Sequence, residues 1–227
     1  MNIVAIIQAR LGSKRLPYKM MLSLHGHPII EWVLRRVKSS QKLDNIVAAI
    51  PISSENDILE KCIRSIGIDV YRGSEEDVLK RFYEAAMLKK ATHIVRVCAD
   101  NPLISGEEID KLIDFYFENP CDYAYNHIPK DNTYPDGLGA EIVSFEILKY
   151  LHRNVTNQHY REHCLLYIMD TPEKFNIKTF NPEDDKIALP HLRFDVDDFD
   201  DYYRLSLKDF TFQSTPLELV RLFDDKL

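Results

Sequence analysis

The sequence predicts an α/β fold in which a mostly parallel, mixed sheet lies between two layers of helices, and two features lead to this prediction. Residues 2–8 form an unbroken apolar, β-branched run, which is typical of a strand that is buried on both faces. Three shorter apolar runs then alternate with amphipathic stretches as far as residue 117. Because successive strand–helix units form parallel sheets through right-handed crossovers, we expect a three-layer, Rossmann-like arrangement.

The individual elements of the first half follow from these patterns. Strands are predicted at 2–8, 45–50, 69–71 and 93–97, and helices at 28–37, 54–66, 74–88 and 105–117. We expect Ser54, Ser74 and Ser105 to cap the last three helices, because a serine hydroxyl accepts a hydrogen bond from the first turn. Ser105 and Glu108 have the spacing of a capping box.

The regular alternation ends near residue 120. Weaker strand patterns follow at 121–126, 141–143, 175–180 and 192–196, and helical patterns at 144–152, 161–169, 198–207 and 217–223. Residues 127–139 are polar and rich in proline and glycine, so we expect a loop of the kind that often carries substrate contacts. We interpret residues 1–227 as one domain, with a regular half at 1–120, an irregular insertion at 121–195 and C-terminal helices at 196–227.

Composition excludes several classes of protein. The net charge is −7, which argues against a general nucleic-acid binder, since such proteins present a basic surface. The four cysteines are widely spaced and form no zinc motif, so free thiols in a reducing compartment are expected. No run reaches the roughly 20 apolar residues of a membrane span, and residues 1–7 are too short for a signal peptide. We therefore expect a cytoplasmic protein without a membrane partner.

A basic loop follows the first predicted strand. It carries four cations within ten residues: Arg10, Lys14, Arg15 and Lys19. Gly12 and Ser13 allow the backbone to approach a ligand closely, so that N–H groups can face an anion. The carboxyl end of a strand is also where open α/β sheets bind ligands. A solvated basic turn is the alternative interpretation, but the position of the loop favours a phosphate site.

The same segment resembles a known family. Residues 6–30 are similar to the opening signature of the cytidylyltransferase superfamily that makes CMP-activated sugar acids, and most similar to the SpsF group of spore-coat polysaccharide biosynthesis proteins. Five further blocks resemble the group's motifs in the family's order: residues 72–82, 99–104, 134–138, 161–163 and 192–197. The resemblance covers about residues 2–205 and implies a nucleotidyltransferase fold, with nucleotide binding in the first half and acceptor binding or dimerisation in the insertion.

The resemblance also implies which residues bind the nucleotide. Arg10 and Lys19 match the residues that hold its phosphates, and with Asp100 they are the predicted catalytic residues. The loop that wraps the nucleotide corresponds to Gln8, Ala9, Arg10, Leu11, Gly12, Ser13 and Lys19. Backbone groups near 50–54 and at Arg72, Gly73 and Ser74 are expected to recognise the base.

Two aspartates match the family's metal ligands, and the expected cofactor is Mg²⁺, which binds carboxylates together with phosphate oxygens. Asp100 follows the fourth predicted strand. From residues alone it can equally be read as a turn before a proline. Asp197 matches the second ligand, and Asp195 lies on the same side of the predicted strand as a possible substitute.

Four residues are the predicted acceptor contacts, namely Tyr134, Asp136, Glu141 and His163. His163 can also be structural, as single histidines usually are. The chain departs from the family at two positions. Ala99 replaces a glycine before the metal aspartate, and Gly139 replaces an aspartate of the acceptor block.

Taken together, these residues predict transfer of CMP from CTP to a sugar acid or related acceptor, with release of pyrophosphate, for cell-surface polysaccharide or glycan synthesis. A homodimer is possible by analogy with the family. Three alternatives stay open: a sugar-phosphate nucleotidyltransferase that uses UTP or GTP, a non-catalytic subunit that binds nucleotide-sugars, and a glycosyltransferase. The basic loop argues against the last, because it suits three phosphates better than two.

Overall fold

The computed structural model describes residues 1–224, in which a seven-stranded mixed sheet is flanked by helices. The strands are β1 (Ile3–Gln8), β2 (Ser23–Leu24), β3 (His27–Pro28), β4 (Asn45–Pro51), β5 (Asp69–Gly73), β6 (His93–Cys98), β7 (Tyr123–Tyr125), β8 (Glu141–Ser144) and β9 (Ile177–Thr179). The helices are α1 (Ile29–Val37), α2 (Asp57–Ser65), α3 (Val78–Leu88), α4 (Gly106–Glu118), α5 (Phe145–Asn154), α6 (Gln158–Glu162), α7 (Leu166–Asp170), α8 (Phe199–Ser206) and α9 (Pro216–Phe223).

The sheet order is β5-β4-β1-β6-β8-β7-β9, while β2 and β3 form a separate hairpin. Strands β5, β4, β1 and β6 are parallel, as predicted. Strand β8 then pairs antiparallel with both β6 and β7, and β9 lies parallel to β7. The predicted fold class, a mostly parallel mixed sheet with helices on both faces, is therefore confirmed.

The side chains of β1 alternate between the two faces of the sheet, and this explains why a layer of helices packs on each face. Ile3, Ala5 and Ile7 pack with α1, α2 and α4 in one apolar cluster. Val4 and Ile6 point to the opposite face, where they pack with α3 and α5 in a second cluster. A strand with a core on each side must be apolar at every position, which accounts for the unbroken run in the sequence.

Two predicted helix starts are wrong. A 3₁₀ turn occupies Ser54–Asn56, and α2 begins after it without a side-chain cap. Helix α3 begins at Val78 rather than Ser74, because the Asp77 carboxylate accepts the hydrogen bond from the Lys80 N–H. Ser105 does cap α4, as predicted. The Glu108 carboxylate, however, accepts hydrogen bonds from the Tyr134 hydroxyl and the Lys111 ammonium instead of from the cap.

The irregular insertion contains two further differences. The predicted helix at 161–169 is interrupted after Glu162, because Cys164 and Leu165 turn into the core, and it continues as α7. The predicted strand at 192–196 forms only an isolated bridge between Arg193 and Asp136. The hairpin β2–β3 was not predicted. The last three residues of the predicted C-terminal part lie outside the described residues.

The segment 193–196 matters because it joins the two halves at the carboxyl ends of the strands. The Val196 N–H donates to the Asp100 carbonyl at 2.8 Å, and the Phe194 N–H donates to the Asp136 carbonyl at 2.9 Å. Gly137 has φ +84°, which strains any other residue, and a Cβ atom there would lie only 3.0–3.2 Å from the backbone of Phe194 and Asp195. Among the helices of residues 1–224, none has the length and apolar character that a membrane crossing requires.

Candidate active site

A cavity of about 470 Å³ opens at the carboxyl ends of β1 and β6. Its walls are the basic loop after β1, the first turn of α3, the end of β6 and the residues that follow α6. The charged groups on its walls are six cations and three carboxylates: Arg10, Lys14, Arg15, Lys19, Arg81, Arg96, Asp100, Glu162 and Asp197. The cavity is therefore cationic in an acidic chain. A second cavity of about 700 Å³, between α1, α4 and α9, is lined by none of the predicted site residues.

Lys19 lines this cavity although it is only 8% exposed. Its ammonium donates to the Val196 carbonyl at 2.7 Å and lies 3.5 Å from a carboxylate oxygen of both Asp100 and Asp197. The loop turns back at Tyr18, which has φ 55°, and so directs Lys19 inward. The basic loop, the end of β6 and the segment after 193–196 thus meet at one ammonium group.

Asp100 and Asp197 are the pair of carboxylates that the sequence predicted as metal ligands, and both are partly open to the cavity, with side chains 34% and 28% exposed. Asp195 does not substitute for Asp197, because its carboxylate binds the Arg193 guanidinium. Within residues 1–224, no group of three or more His, Cys, Asp or Glu is arranged around a common metal position. Two carboxylates nevertheless fit Mg²⁺, which commonly takes its other ligands from substrate phosphates and water.

The loop after β1 is held by the core. The Leu11 side chain is buried, and its N–H donates to the carboxamide of the buried Asn56 at 3.0 Å. Arg10 is exposed, with its guanidinium 3.7 Å from the Glu162 carboxylate, and Arg15 lies 3.0 Å from Asp197. Of the predicted nucleotide-binding loop, Gln8, Ala9, Arg10, Ser13 and Lys19 line the cavity, whereas Leu11 and Gly12 do not.

The predicted base-recognition segment borders this region without lining the cavity. The Arg72 guanidinium is occupied, since it contacts the carboxylates of Asp57 and Glu60 at 2.7 and 2.8 Å and the carbonyls of Ile52 and Ser53. Gly73 packs against Tyr71 and Arg81. The Ser74 hydroxyl accepts a hydrogen bond from the Asp77 N–H at 3.0 Å. The Arg72 guanidinium is therefore not available to a base, which leaves backbone groups and the Ser74 O–H.

Of the four predicted acceptor residues, one lines the cavity and three do not. His163 lines the cavity and is exposed, next to Glu162. Tyr134 does not reach the cavity, because its side chain is fully buried and its hydroxyl donates to Glu108 at 2.7 Å. Asp136 does not line the cavity either. Burial and the nearby Asp195, Asp100 and Asp197 raise the pKa of Asp136 to about 6, although Arg193 opposes this.

Glu141 is also buried rather than free to contact an acceptor. Its carboxylate accepts hydrogen bonds from the Arg96 guanidinium and from the Tyr123 hydroxyl, the latter at 2.7 Å, and lies 3.4 Å from His127. Burial alone would raise the pKa of Glu141, but Arg96 and His127 lower it by more. Glu141 therefore acts on the cavity only through Arg96, which lines it.

Arg81 and Arg96 are cavity residues that the sequence reasoning did not select. Both carried a signal, because each is a charged residue at a position that should face the core. Arg96 interrupts the apolar strand β6, and Arg81 follows Val78 by one helical turn on the buried face of α3. A charge at such a position indicates either a buried ion pair or a ligand.

The departure at Gly139 has a structural explanation. A Cβ atom there would overlap both the carboxamide oxygen and the carbonyl oxygen of Asn126. Asn126 is fully buried, donates to the Glu108 carbonyl at 3.0 Å and accepts from the Ala140 N–H at 2.9 Å. The carboxylate expected at 139 is thus replaced by a buried amide that joins the end of β7 to the start of β8.

Comparisons with known proteins agree with this geometry. Residues 4–223 match the cytidylyltransferase family. The spore coat polysaccharide biosynthesis protein SpsF of Bacillus subtilis is 33% identical over 207 residues, which is 88% of this chain and 83% of SpsF. A cytidylyltransferase structure from Leptospira borgpetersenii serovar Hardjo-bovis has a TM-score of 0.88 at 27% identity, over 97% of this chain and 93% of that chain.

A more distant structure shares the fold. CMP:2-keto-3-deoxy-manno-octonic acid synthetase, solved in complex with CTP, has a TM-score of 0.68 at 15% identity, over 91% of this chain and 98% of that chain. The family match, by contrast, extends over nearly every residue that builds the sheet and the cavity. This chain therefore belongs to the cytidylyltransferase family.

Proposed function

We propose that this chain transfers CMP from CTP to a sugar acid or a related acceptor and releases pyrophosphate. Membership of the cytidylyltransferase family supports nucleotidyl transfer from CTP. The similarity to SpsF, named for spore coat polysaccharide synthesis, and the fold of the synthetase solved with CTP support a sugar-like acceptor. We further propose a role in cell-surface polysaccharide or glycan synthesis, a cytoplasmic location, and a homodimer formed through residues 121–195.

The position of Lys19 between Asp100 and Asp197, inside a cation-rich cavity, is the observation that carries this proposal. In the reaction an acceptor oxygen attacks the α-phosphorus, and the bond to the bridging oxygen breaks as pyrophosphate leaves. Negative charge accumulates on the leaving group, so a preorganised ammonium next to it lowers the barrier. Lys19 and Arg10 are proposed to hold the phosphates, and Arg10 is free to move because its ion pair with Glu162 is long and exposed.

Asp100 and Asp197 would hold Mg²⁺, which neutralises phosphate charge and makes the phosphorus a better electrophile. Their carboxylates stand next to the phosphate-binding side chains rather than in a closed cage, as expected for a metal that arrives with a nucleotide. His163 and Glu162, which line the cavity, are proposed to contact the acceptor. Tyr134 and Asp136 are proposed to shape it from behind, through Glu108 and through residues 193–196.

Pyrophosphate release measured with CTP, UTP, GTP and ATP, each with and without Mg²⁺, tests the proposal against a panel of sugar acids, polyols and phosphonates. We expect turnover with CTP and Mg²⁺ at least 100-fold faster than with the other nucleotides. Preference for UTP or GTP with sugar phosphates would identify the alternative nucleotidyltransferase. Tight CTP binding without turnover across the whole panel would favour a binding subunit.

A further inference from the structure

We propose that Arg81 and Arg96 form an anion-binding subsite in the cavity, and that this subsite holds a carboxylate or phosphate group of the acceptor. The inference rests on the proposed function and deepens it, because it makes the acceptor an acid rather than a neutral polyol. It also assigns two residues, one from α3 and one from β6, to acceptor selection.

Arg81 is a cavity residue whose charge has no carboxylate partner. Its side chain is only 1% exposed, and it forms no ion pair with any carboxylate of residues 1–224. One terminal nitrogen donates to the Ser74 and Glu75 carbonyls, while the Nε–H is buried without an acceptor. Burial, together with repulsion from Arg10, lowers the pKa of Arg81 to about 10, although the charges of Glu75 and Asp77, neither of which forms an ion pair with it, oppose this. The guanidinium therefore still carries its charge at neutral pH.

The other cations deep in the cavity or at its mouth differ from Arg81 in this respect. Lys19 faces Asp100 and Asp197, and Arg96 is paired with Glu141. Lys14 is exposed, so water solvates it. An unpaired buried charge costs several kcal/mol unless an opposite charge joins it. Among these cavity cations, Arg81 is therefore the buried one that a second anion, besides the nucleotide phosphates, would pair with.

Unsatisfied polar atoms gather at the same place. Five buried side-chain nitrogen or oxygen atoms of residues 1–224 lack a hydrogen-bond partner, and three belong to residues that line this cavity: Gln8 Oε1, Arg81 Nε and Arg96 Nε. Buried polar groups nearly always have a protein, water or ligand partner, so three such atoms in one cavity favour it as a binding site for a polar ligand. Two N–H donors suit the oxygens of an anion, and the Gln8 oxygen suits a neighbouring hydroxyl. A hydroxy acid offers both groups.

The subsite is separate from the proposed phosphate position. Arg96 and Cys98 alternate along β6 onto the face of the sheet that α3 covers, where Arg81 also lies. The buried Cys164 thiol is close to both guanidiniums: burial raises its pKa to about 12, and the charges of Arg96 and Arg81 oppose that rise. Lys19, Asp100 and Asp197 instead meet at the loop edge of the cavity. One ligand can therefore present its phosphates to Lys19 while a second presents an acid group to Arg81.

The test measures the two ligands separately by isothermal titration calorimetry. CTP with Mg²⁺ is titrated into the free protein, and inorganic phosphate or 3-deoxy-D-manno-octulosonate is titrated into the CTP complex. In Arg81→Gln we expect the anion affinity to fall at least tenfold and the CTP affinity to change less than threefold. The anion affinity of Arg81→Lys should lie between those of Arg81→Gln and the wild type. Arg153→Gln, which removes an exposed charge elsewhere, should leave both affinities unchanged.

An equal loss of CTP and anion affinity would assign Arg81 to the nucleotide site and overturn the inference, as would unchanged anion affinity or no anion binding to the wild type. The anion that binds more tightly decides between a phosphate and a carboxylate group. Failure of the wild type to bind CTP or to release pyrophosphate would instead contradict the proposed function.

A measurement on the wild type covers the case in which Arg81→Gln does not fold. In ¹H–¹⁵N spectra of arginine Nε groups, two buried resonances should shift when either anion is added to the CTP complex. If no Nε resonance shifts while the anion binds, the anion lies elsewhere and the subsite is refuted.

Discussion

Lys19 brings a nearly buried ammonium to within 3.5 Å of two carboxylates, and this is the contact most open to a direct test. We expect Lys19→Ala to lower the turnover of CTP by about 100- to 1,000-fold, the usual cost of removing a charge-stabilising donor. Steady-state pyrophosphate release measures this, with the exposed Lys61→Ala as a control for the lost charge. Unchanged turnover in Lys19→Ala would refute the phosphate assignment.

The role of Asp100 in metal binding can be tested separately from that of the other acidic residues near it. We expect Asp100→Asn to lose activation by Mg²⁺, because a neutral amide is a poor ligand for this hard cation. Activity measured against Mg²⁺ concentration tests this. Asp200→Asn alters an exposed carboxylate close to Asp197 and should keep the wild-type metal dependence. Normal activation in the Asp100 variant would exclude Asp100 as a ligand.

Asp136 predicts a pH dependence of stability. Its pKa is raised from 3.8 to about 6 by burial and by the neighbouring carboxylates, so the folded state binds more protons than the unfolded state in this interval. Stability due to Asp136 is therefore present below about pH 4 and is lost as the pH rises to about 6. We expect Asp136→Asn to gain up to about 3 kcal/mol relative to the wild type at pH 8.

Urea unfolding of both proteins at pH 4.5 and pH 8, in buffer with EDTA, measures this difference. The two proteins should be most similar at the lower pH. A stability difference that is the same at both pH values would show that Asp136 titrates normally.

The sequence allowed some site residues to be predicted and not others. Asp100 and Asp197 stand just after apolar segments, and Lys19 lies in the loop that follows the first one. The ends of neighbouring segments meet at one edge of a sheet. Tyr134 was misplaced because a polar loop does not reveal which of its side chains turn inward. Arg81 was missed because its neighbours in the cavity are distant in sequence.

At the level of elements, Gly139 packs closely against Asn126 where the end of β7 meets the start of β8. We expect Gly139→Ala to destabilise the protein by about 1–3 kcal/mol, because its methyl group overlaps Asn126 and the strands must shift. Chemical denaturation measures this. A Cβ added at Gly12 would have its nearest neighbouring atom 3.7 Å away, so Gly12→Ala should have little effect on stability. Equal stability of the two variants would contradict the overlap.

The elements of the first half were easier to predict than those of the second. A strand that is buried on both faces has a continuous apolar run, which is a strong strand signal when it is short and rich in β-branched residues, as in β1 and β4. Residues 192–196 show why the pattern fails later. Phe194 and Val196 alternate into the core like a strand, yet their backbone hydrogen bonds go to the loop residues Asp136 and Asp100. Alternation reports burial, not strand pairing.

At the scale of the whole molecule, Arg161 fastens the irregular insertion to the first half. Its guanidinium makes two contacts with Asp77, at 2.9 and 2.8 Å, and donates to the carbonyls of His152 and Val155. We expect Arg161→Met to loosen α6 against α3 and to raise the KM for an acceptor that supports turnover. The affinity for CTP should change less than threefold.

Hydrogen exchange followed by mass spectrometry should show faster exchange at 158–163 in this variant and wild-type exchange in β1 and β4. Arg153→Met, also within the insertion but exposed, is the matched control. Uniformly faster exchange throughout the protein would mean that Arg161 supports global stability rather than the attachment of α6.

The order of the sheet could not be derived from the sequence. Strand β8 enters antiparallel between β6 and β7, so residues 45 positions apart, Arg96 and Glu141, become partners. No local sequence pattern specifies which strand edge a later strand joins. The strand order depends on the packing of the whole chain, which must cover both faces of the sheet. The subsite around Arg81 and Arg96 is a product of that topology.

The packing of Gly139 against Asn126 also limits how this protein can evolve. An aspartate at 139 would place its Cβ atom on the carboxamide and carbonyl oxygens of the buried Asn126. Shortening Asn126 alone would not make room, because its carbonyl remains. An acidic residue at 139 would therefore fit only after the end of β7 has moved, so the order of mutations, and not only their number, determines whether this position can become acidic.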